Sequence, residues 1–183
     1  MIAFTAEQEE FRRTVARFVD AEVAPQAAGL DERGEFPREL FKRLGAQGWL
    51  GLRYPEAYGG AESDMVTFCL FAEELARGSL SVAAAAAMQS LMGTYFVYKY
   101  GSEALRARYL TPALRGDLVA TFALTEPNAG SDVAAITTRA ERRGDRWVLR
   151  GVKTWVTNAP VADLLTVAAK TSGERGLKNI ALF

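Results

Sequence analysis

Over roughly the first two thirds of the chain, apolar positions recur at helical spacing, whereas the last third breaks into short β-rich runs. Phe4-Thr5-x-x-Gln8 forms a capping box behind an apolar residue. It predicts a helix with Phe11, Val15, Phe18 and Val19 on one face, closed by Pro25. Pro37 then starts a short helix with Leu40, Phe41 and Leu44 inward, ended by Gly45 or Gly48. Gly51, Pro55, Gly59 and Gly60 punctuate the stretch from Trp49 to Gly60 and predict a loop. Ser63 or Asp64 caps the next helix, which runs to Gly78 with Val66, Cys69, Leu70 and Phe71 as its buried candidates. A further helix from about Ser81 is stopped by Gly101. Ser102 opens another, with Leu105, Tyr109 and Leu110 on its apolar side, and Thr111-Pro112 begins a last turn that Gly116 ends.

From Leu118 onward the runs are rich in Val, Thr, Ile and Trp. They predict strands at Leu118–Leu124, Ile136–Arg142, Trp147–Asn158 and Leu164–Lys170, and a short one at Ile180–Phe183. Arg143-Gly144-Asp145 is the hairpin turn between the second and third. So few strands would not close a barrel, and the chain stops on an apolar strand. The pattern therefore predicts an α+β chain: an all-α helical bundle over 1–117, followed by an incomplete antiparallel β-barrel-like domain over 118–183. A complete small sheet whose last strand docks is the competing reading.

Composition narrows the chemistry. The 22 basic and 22 acidic residues cancel, leaving no global field for nucleic acid or an anionic membrane. Histidine is absent, which removes the Ser-His-Asp triad, the Cys-His pair and histidine-ligated metals. Cys69 is the one cysteine, so there is neither an intrachain disulfide nor a cysteine metal cluster, and it is expected in the core. No cationic stretch leads into an apolar run at the N-terminus, so no secretory signal is expected and the cytoplasm is the default. Gly78 to Tyr98 is uncharged and of membrane-spanning length, but its serines, Gln89 and Thr94 favour a buried helix over a membrane span.

Neither G-x-G-x-x-G nor G-x-x-x-x-G-K-[ST] occurs, so a nucleotide cofactor would have to be held another way. The most specific segment is Phe122-Ala-Leu-Thr-Glu-Pro-Asn-Ala-Gly-Ser-Asp132, which leaves a strand for a turn-rich stretch. Such a stretch frees backbone N–H groups from the ladder, and fixed donors suit a flavin pyrimidine ring that gains negative charge on reduction. The segment resembles the T-E-P-x-A-G-S-D signature of acyl-CoA dehydrogenases. Leu149-x-Gly-x-Lys-x-Trp155-Val-Thr157-Asn158 is similar to their second signature, L-x-G-x-K-x-W-I-T-N. Upstream, Pro55-Glu-x-Tyr-Gly-Gly60 and Glu73-Glu-Leu-Ala-Arg77 resemble landmarks of the family's helical domain, so the resemblance covers essentially the whole chain.

The resemblance implies FAD as cofactor and the α,β-dehydrogenation of an acyl-CoA thioester. Phe122, Leu124 and Thr125 would line the flavin, Trp155 would pack on the isoalloxazine, Val156 would offer backbone, and the Thr157 hydroxyl would approach N5. Ser131 matches the position that contacts the pantetheine arm. Asn128 and Pro160 stand where glycine is common. The family's base is a glutamate in a C-terminal helical bundle, so the resemblance implies no catalytic base within this chain and an inactive fragment when alone. It also implies an electron-transfer flavoprotein as acceptor and a homo-oligomer for the complete enzyme. Three functions stay open: such a dehydrogenase fragment, a related flavoprotein oxidase or monooxygenase on the same scaffold, and a non-catalytic acyl- or partner-binding remnant.

Ordinary structural roles compete with several of these. Trp147 and Trp155 would serve a sheet core, and Thr125 and Thr157 a strand. Glu126 and Asp132 are tempting bases in a histidine-free chain, but Glu126, ahead of Pro127, is expected to stabilise its turn instead. Glu73 and Glu74 are adjacent on a helix and cannot form a dyad. Arg139, Arg142, Arg143 and Arg146 read as a solvated hairpin face before CoA-phosphate ligands. Met88, Leu91 and Met92 border the acyl tail by resemblance, with core packing as the equal alternative.

Overall fold

A computed structural model describes residues 3–173 and 176–183. The Thr5 hydroxyl accepts from the Gln8 N–H, and the Gln8 side chain accepts in return from the Thr5 N–H, so the capping box opens α1 (Ala6–Phe18) as expected. Pro25 does not close this helix. A π-turn at Val19–Val23 carries the chain on into α2 (Ala24–Arg33), with Pro25 in the first turn of α2. Its missing N–H falls where the π-turn hands over to α2, and the helix runs on past it. Gly34, at φ 61°, ends the run.

Next come α3 (Arg38–Ala46), α4 (Met65–Gly78), α5 (Leu80–Met88) and α6 (Tyr95–Tyr100), with a π-turn at Gln89–Gly93 between the last two. Asp64 rather than Ser63 caps α4, its carboxylate accepting from the Thr67 N–H at 2.7 Å. The α4 stripe holds Leu70 and Phe71 as expected, but Val66 is only half-buried. Phe68, Phe71 and Leu75 face the core and Cys69 is exposed. The bulkier phenylalanines win the interior because each removes more apolar surface from water. Short helices α7 (Glu103–Leu105) and α8 (Thr111–Leu114) flank another π-turn at Arg106–Leu110. Leu110 is buried as expected, whereas Leu105 is exposed.

The helical core gathers Val15, Val19, Leu40, Phe41, Leu44, Leu50 and Leu75 around Trp49. Rings of Phe18, Phe71 and Phe11 surround Trp49 at 5.0, 5.9 and 6.4 Å between centroids. The run Leu80–Tyr100 is long and apolar enough to cross a membrane by length and composition. Within it, Val82, Ala83, Ala85, Ala86, Gln89, Ser90 and Thr94 are buried against the rest of the protein.

The strands are β1 (Ala120–Ala123), β2 (Arg139–Arg143), β3 (Arg146–Arg150), β4 (Leu164–Lys170) and β5 (Ile180–Leu182). The sheet is mixed rather than antiparallel. β4 runs parallel to β1, with Ala120 opposite Leu164, and parallel to β2 at the single pair Arg139 and Lys170. Antiparallel pairing is confined to β2 with β3 and β4 with β5. The order β1-β4-β2-β3, with β5 on β4, does not close, so the barrel expectation holds only as far as an open sheet. Parallel β1 and β4 follow from the long excursion between them, which brings the chain back to the same end of the sheet. All four residues of β1 are buried. The predicted third strand ends early, at Arg150, and residues 151–158 leave the ladder altogether.

A buried glutamine joins helices to sheet. Gln89 Nε2 donates to the carbonyls of Ala113 and Leu118, each at 2.8 Å, and its Oε1 accepts from the Ala120 N–H at 2.6 Å. Gly93 permits the close approach, because a Cβ there would stand 2.5 Å from the Ala120 carbonyl oxygen. Asp163, just before β4, accepts from the Val119 N–H at 2.9 Å and from Arg38 at 3.0 Å, tying α3 to the same sheet end.

Candidate functional site

Two irregular segments meet beside the end of β1: Leu124–Asp132, which follows β1, and Gly151–Asn158, which follows β3. The first folds into a tight turn in which the Glu126 and Ala129 backbones exchange hydrogen bonds at 2.9 and 3.1 Å, with Pro127 and Asn128 at the exposed tip. The second begins at Gly151, where a Cβ would lie 2.2 Å from Thr138 Oγ1, so only glycine lets the chain pass β2 this closely.

The two segments are bonded to each other at three consecutive residues of the first. Lys153 Nζ donates to the Leu124 carbonyl at 2.8 Å and to Glu126 Oε1 at 2.9 Å. Between them, the Thr154 N–H donates to the Thr125 carbonyl at 2.9 Å. Glu126 is buried, and its carboxylate is fully engaged. Oε2 accepts from the Thr137 N–H at 2.6 Å and from its hydroxyl at 2.8 Å, while Oε1 also accepts from the Thr138 N–H at 2.9 Å. Burial alone would raise its pKa, but the Lys153 ammonium and the Thr137 and Thr138 donors outweigh it and hold the carboxyl at about 2. Glu126 is thus a bracket that is ionised at neutral pH, in line with a turn-stabilising role. A saturated carboxylate of this kind makes a poor proton acceptor.

Downstream of the bracket the backbone is strained. Trp155 has φ 57° and Asn158 φ 68°, both in the left-handed region. Asparagine tolerates that region, and Asn158 is further held by an Nδ2–H bond to the Ala85 carbonyl of α5 at 3.1 Å. Tryptophan does not favour it, and here the whole indole points outward, 90% exposed. The Thr157 carbonyl accepts from the Thr121 hydroxyl of β1, closing the far end of the segment onto the sheet. The N–H groups of Thr125, Trp155, Val156 and Thr157 find no acceptor among the described residues.

The residues singled out from sequence divide accordingly. Leu124, Thr125, Trp155, Val156 and Thr157 come together on this junction, all but the exposed Trp155 being half-buried. Phe122 lies next to them, its ring buried 4.6 Å from the Phe96 ring in a cluster that Ala129 and Leu124 also enter. Ser131 sits further along, exposed beyond the turn. Met88 packs against the cluster holding Phe122 and Ile136, Leu91 packs on the helical core, and Met92 lies at the surface. Arg139, Arg142, Arg143 and Arg146 are exposed on the hairpin, where Arg142 bonds the Gly144 carbonyl at the turn. Trp147 is half-exposed, and its ring lies tilted against that of Phe183 at 5.1 Å between centroids.

Lys153 was given no role from sequence, although it is the ligand that joins the two segments. The sequence marks only the residue types, one lysine in an apolar, glycine-marked run and one glutamate in the other signature, and not their pairing.

Comparison with known proteins follows the same division of the chain. The family model for the acyl-CoA dehydrogenase N-terminal domain matches residues 5–117, and that for the acyl-CoA dehydrogenase middle domain matches residues 121–183. Benzylmalonyl-CoA dehydrogenase of Aromatoleum aromaticum is 50% identical over 173 residues, covering 94% of this chain and 46% of the relative. The structure of a glutaryl-coenzyme A dehydrogenase in complex with glutaryl-CoA superposes with a TM-score of 0.94 at 34% identity, over 100% of this chain and 47% of the other. A glutaryl-CoA dehydrogenase of Mycobacterium smegmatis in complex with FADH2 gives 0.91 at 34% identity, over 98% and 45%. The chain spans about half the length of the relatives it matches.

Proposed function

The chain belongs to the acyl-CoA dehydrogenase family, and on that premise we propose that it is the flavin-facing portion of an FAD-dependent α,β-dehydrogenation of acyl-CoA thioesters. One observation carries the reading. Two signature segments are bonded together so that a tryptophan stands almost fully exposed in a strained backbone, beside a row of N–H groups with no acceptor among the described residues. A flat apolar face next to backbone donors is what an isoalloxazine ring needs: surface to cover on one side and fixed dipoles for its carbonyl edge. The residues therefore fit the group.

When bound, FAD supplies the acceptor for the hydride removed from the substrate. Around it, Trp155 offers its ring, the backbones of Phe122, Leu124, Thr125 and Val156 offer dipoles, and the Thr125 and Thr157 hydroxyls offer donors. Ser131 is assigned to the pantetheine arm of the substrate. In this division, residues 1–117 form the helical domain that backs the site and residues 118–183 the part of the β domain that carries it.

Glu126, saturated by its bonds, is not suited to take the α-proton. We place the base outside this chain and expect the chain alone not to turn over substrate. An electron-transfer flavoprotein is the proposed electron acceptor and a homo-oligomer the proposed complete form.

The test titrates FAD into the chain, alone and with the C-terminal half of the A. aromaticum relative, and follows flavin absorbance and its bleaching by an acyl-CoA. Retention is expected with the complement, and Trp155→Ala should weaken it by about tenfold or more. Failure to retain flavin in either form would favour a non-catalytic acyl- or partner-binding role. Bleaching by the chain alone would sink the placement of the base.

A further inference from the structure

The Lys153–Glu126 pair is buried, with side-chain exposures of 10% and 3%. Desolvating two charges offsets much of what their attraction returns, so fold stability alone is a weak reason for placing such a pair here. Its geometry suggests another use. After its bond to Glu126, the ammonium spends a second donor on the Leu124 carbonyl at 2.8 Å. That carbonyl belongs to the peptide whose N–H is Thr125, the donor with no acceptor among the described residues. A cation on a peptide oxygen draws electron density from the whole amide and makes its N–H a stronger donor. The residue after Lys153 bonds the Thr125 carbonyl at 2.9 Å, and the residue after that is Trp155 in its left-handed conformation. One side chain therefore sets both the donor and the ring.

We propose that Lys153 is a positioning residue of the flavin site: neutralised by Glu126, it grips the Leu124 carbonyl, strengthens the Thr125 N–H as a donor to the flavin, and fixes the stance of Trp155. The inference rests on the flavin reading and deepens it by naming what tunes the bound group. A stronger donor favours the reduced, more negative flavin, so the ammonium raises the flavin's midpoint potential.

Wild type, Lys153→Met and the double variant Lys153→Met/Glu126→Gln are each combined with the C-terminal complement. FAD affinity, flavin midpoint potential and melting temperature are then measured. The double variant guards against unfolding, since it leaves no unpaired carboxylate in the interior. In every variant that folds, the FAD dissociation constant should rise about tenfold or more and the midpoint potential should become more negative. A folded variant with wild-type affinity and potential would overturn the proposal, as would a fall in melting temperature with an unmoved potential. Wild type that takes up no FAD would defeat the flavin reading itself, and the inference with it. That outcome is distinct because it is read before any substitution is made.

Discussion

Trp49 and Trp155 are the same side chain under opposite conditions. Trp49 is 5% exposed inside a cage of three phenylalanine rings, and the glycine before it, Gly48 at φ 76°, takes the left-handed turn that delivers it there. Trp155 is 90% exposed, and the tryptophan itself takes the left-handed conformation. In the helical region the strain is handed to a residue that bears it freely, and the large apolar surface is removed from water. In the signature segment neither is done. Strain and exposure coincide on one residue, and the surroundings hold it there through Lys153, Thr154 and Asn158. One region spends its aromatic surface on stability, while the other keeps it available.

That contrast can be broken in three places. The largest effect is expected from Trp49→Ala, which removes the centre of the helical core and should cost about 3–5 kcal/mol in urea denaturation. A loss under 1 kcal/mol would mean that the cage collapses around the gap and that Trp49 is no keystone.

Glu126 comes next. Its carboxyl lies at about 2 in the fold against an ordinary 4.5, so it contributes stability that is fully present above 4.5 and lost as pH falls toward 2. The contribution at neutral pH is on the order of 3 kcal/mol. Denaturation midpoints of wild type and Glu126→Gln should therefore differ at pH 7 and converge as pH approaches 2. Parallel curves would show that the bracket is not held by its charge.

The smallest effect is Trp155→Ala, which removes an indole that packs on little of the protein and should change stability by within about 0.5 kcal/mol. A loss like that of Trp49→Ala would erase the contrast.

Local signals in the sequence were reliable where the chemistry was local. The Thr5–Gln8 box, the caps at Asp64 and Ser102, the start at Pro37 and the full span of β4 were legible because neighbouring residues decide them. Pro25 misled because a π-turn absorbed it, and Cys69 misled because the α4 stripe followed the phenylalanines rather than the first apolar residue. The expected antiparallel sheet failed for a longer-range reason. Strand runs carry no mark of their direction, and the parallel pairing of β1 with β4 depends on where the chain returns after more than forty residues. At the site, the two signatures were visible as motifs and their exposed tryptophan was assigned to the cofactor. The bond that joins them was not visible, because the partners Glu126 and Lys153 lie 27 residues apart with a hairpin between them.

Gln89 has a consequence for how such a chain can change over time. Most surface connections gain or lose a residue at small cost, since their ends are free to adjust. The connection from α8 to β1 is different, because one side-chain amide holds Ala113, Leu118 and Ala120 at once. An inserted residue between Ala113 and Ala120 would break that grip or shift β1 by one position, turning every side chain of a strand buried on both faces. The amide works as a gauge of length. Lineages of this protein are free to vary the hairpin tip at Gly144 in size, but the six residues after Ala113 are metered.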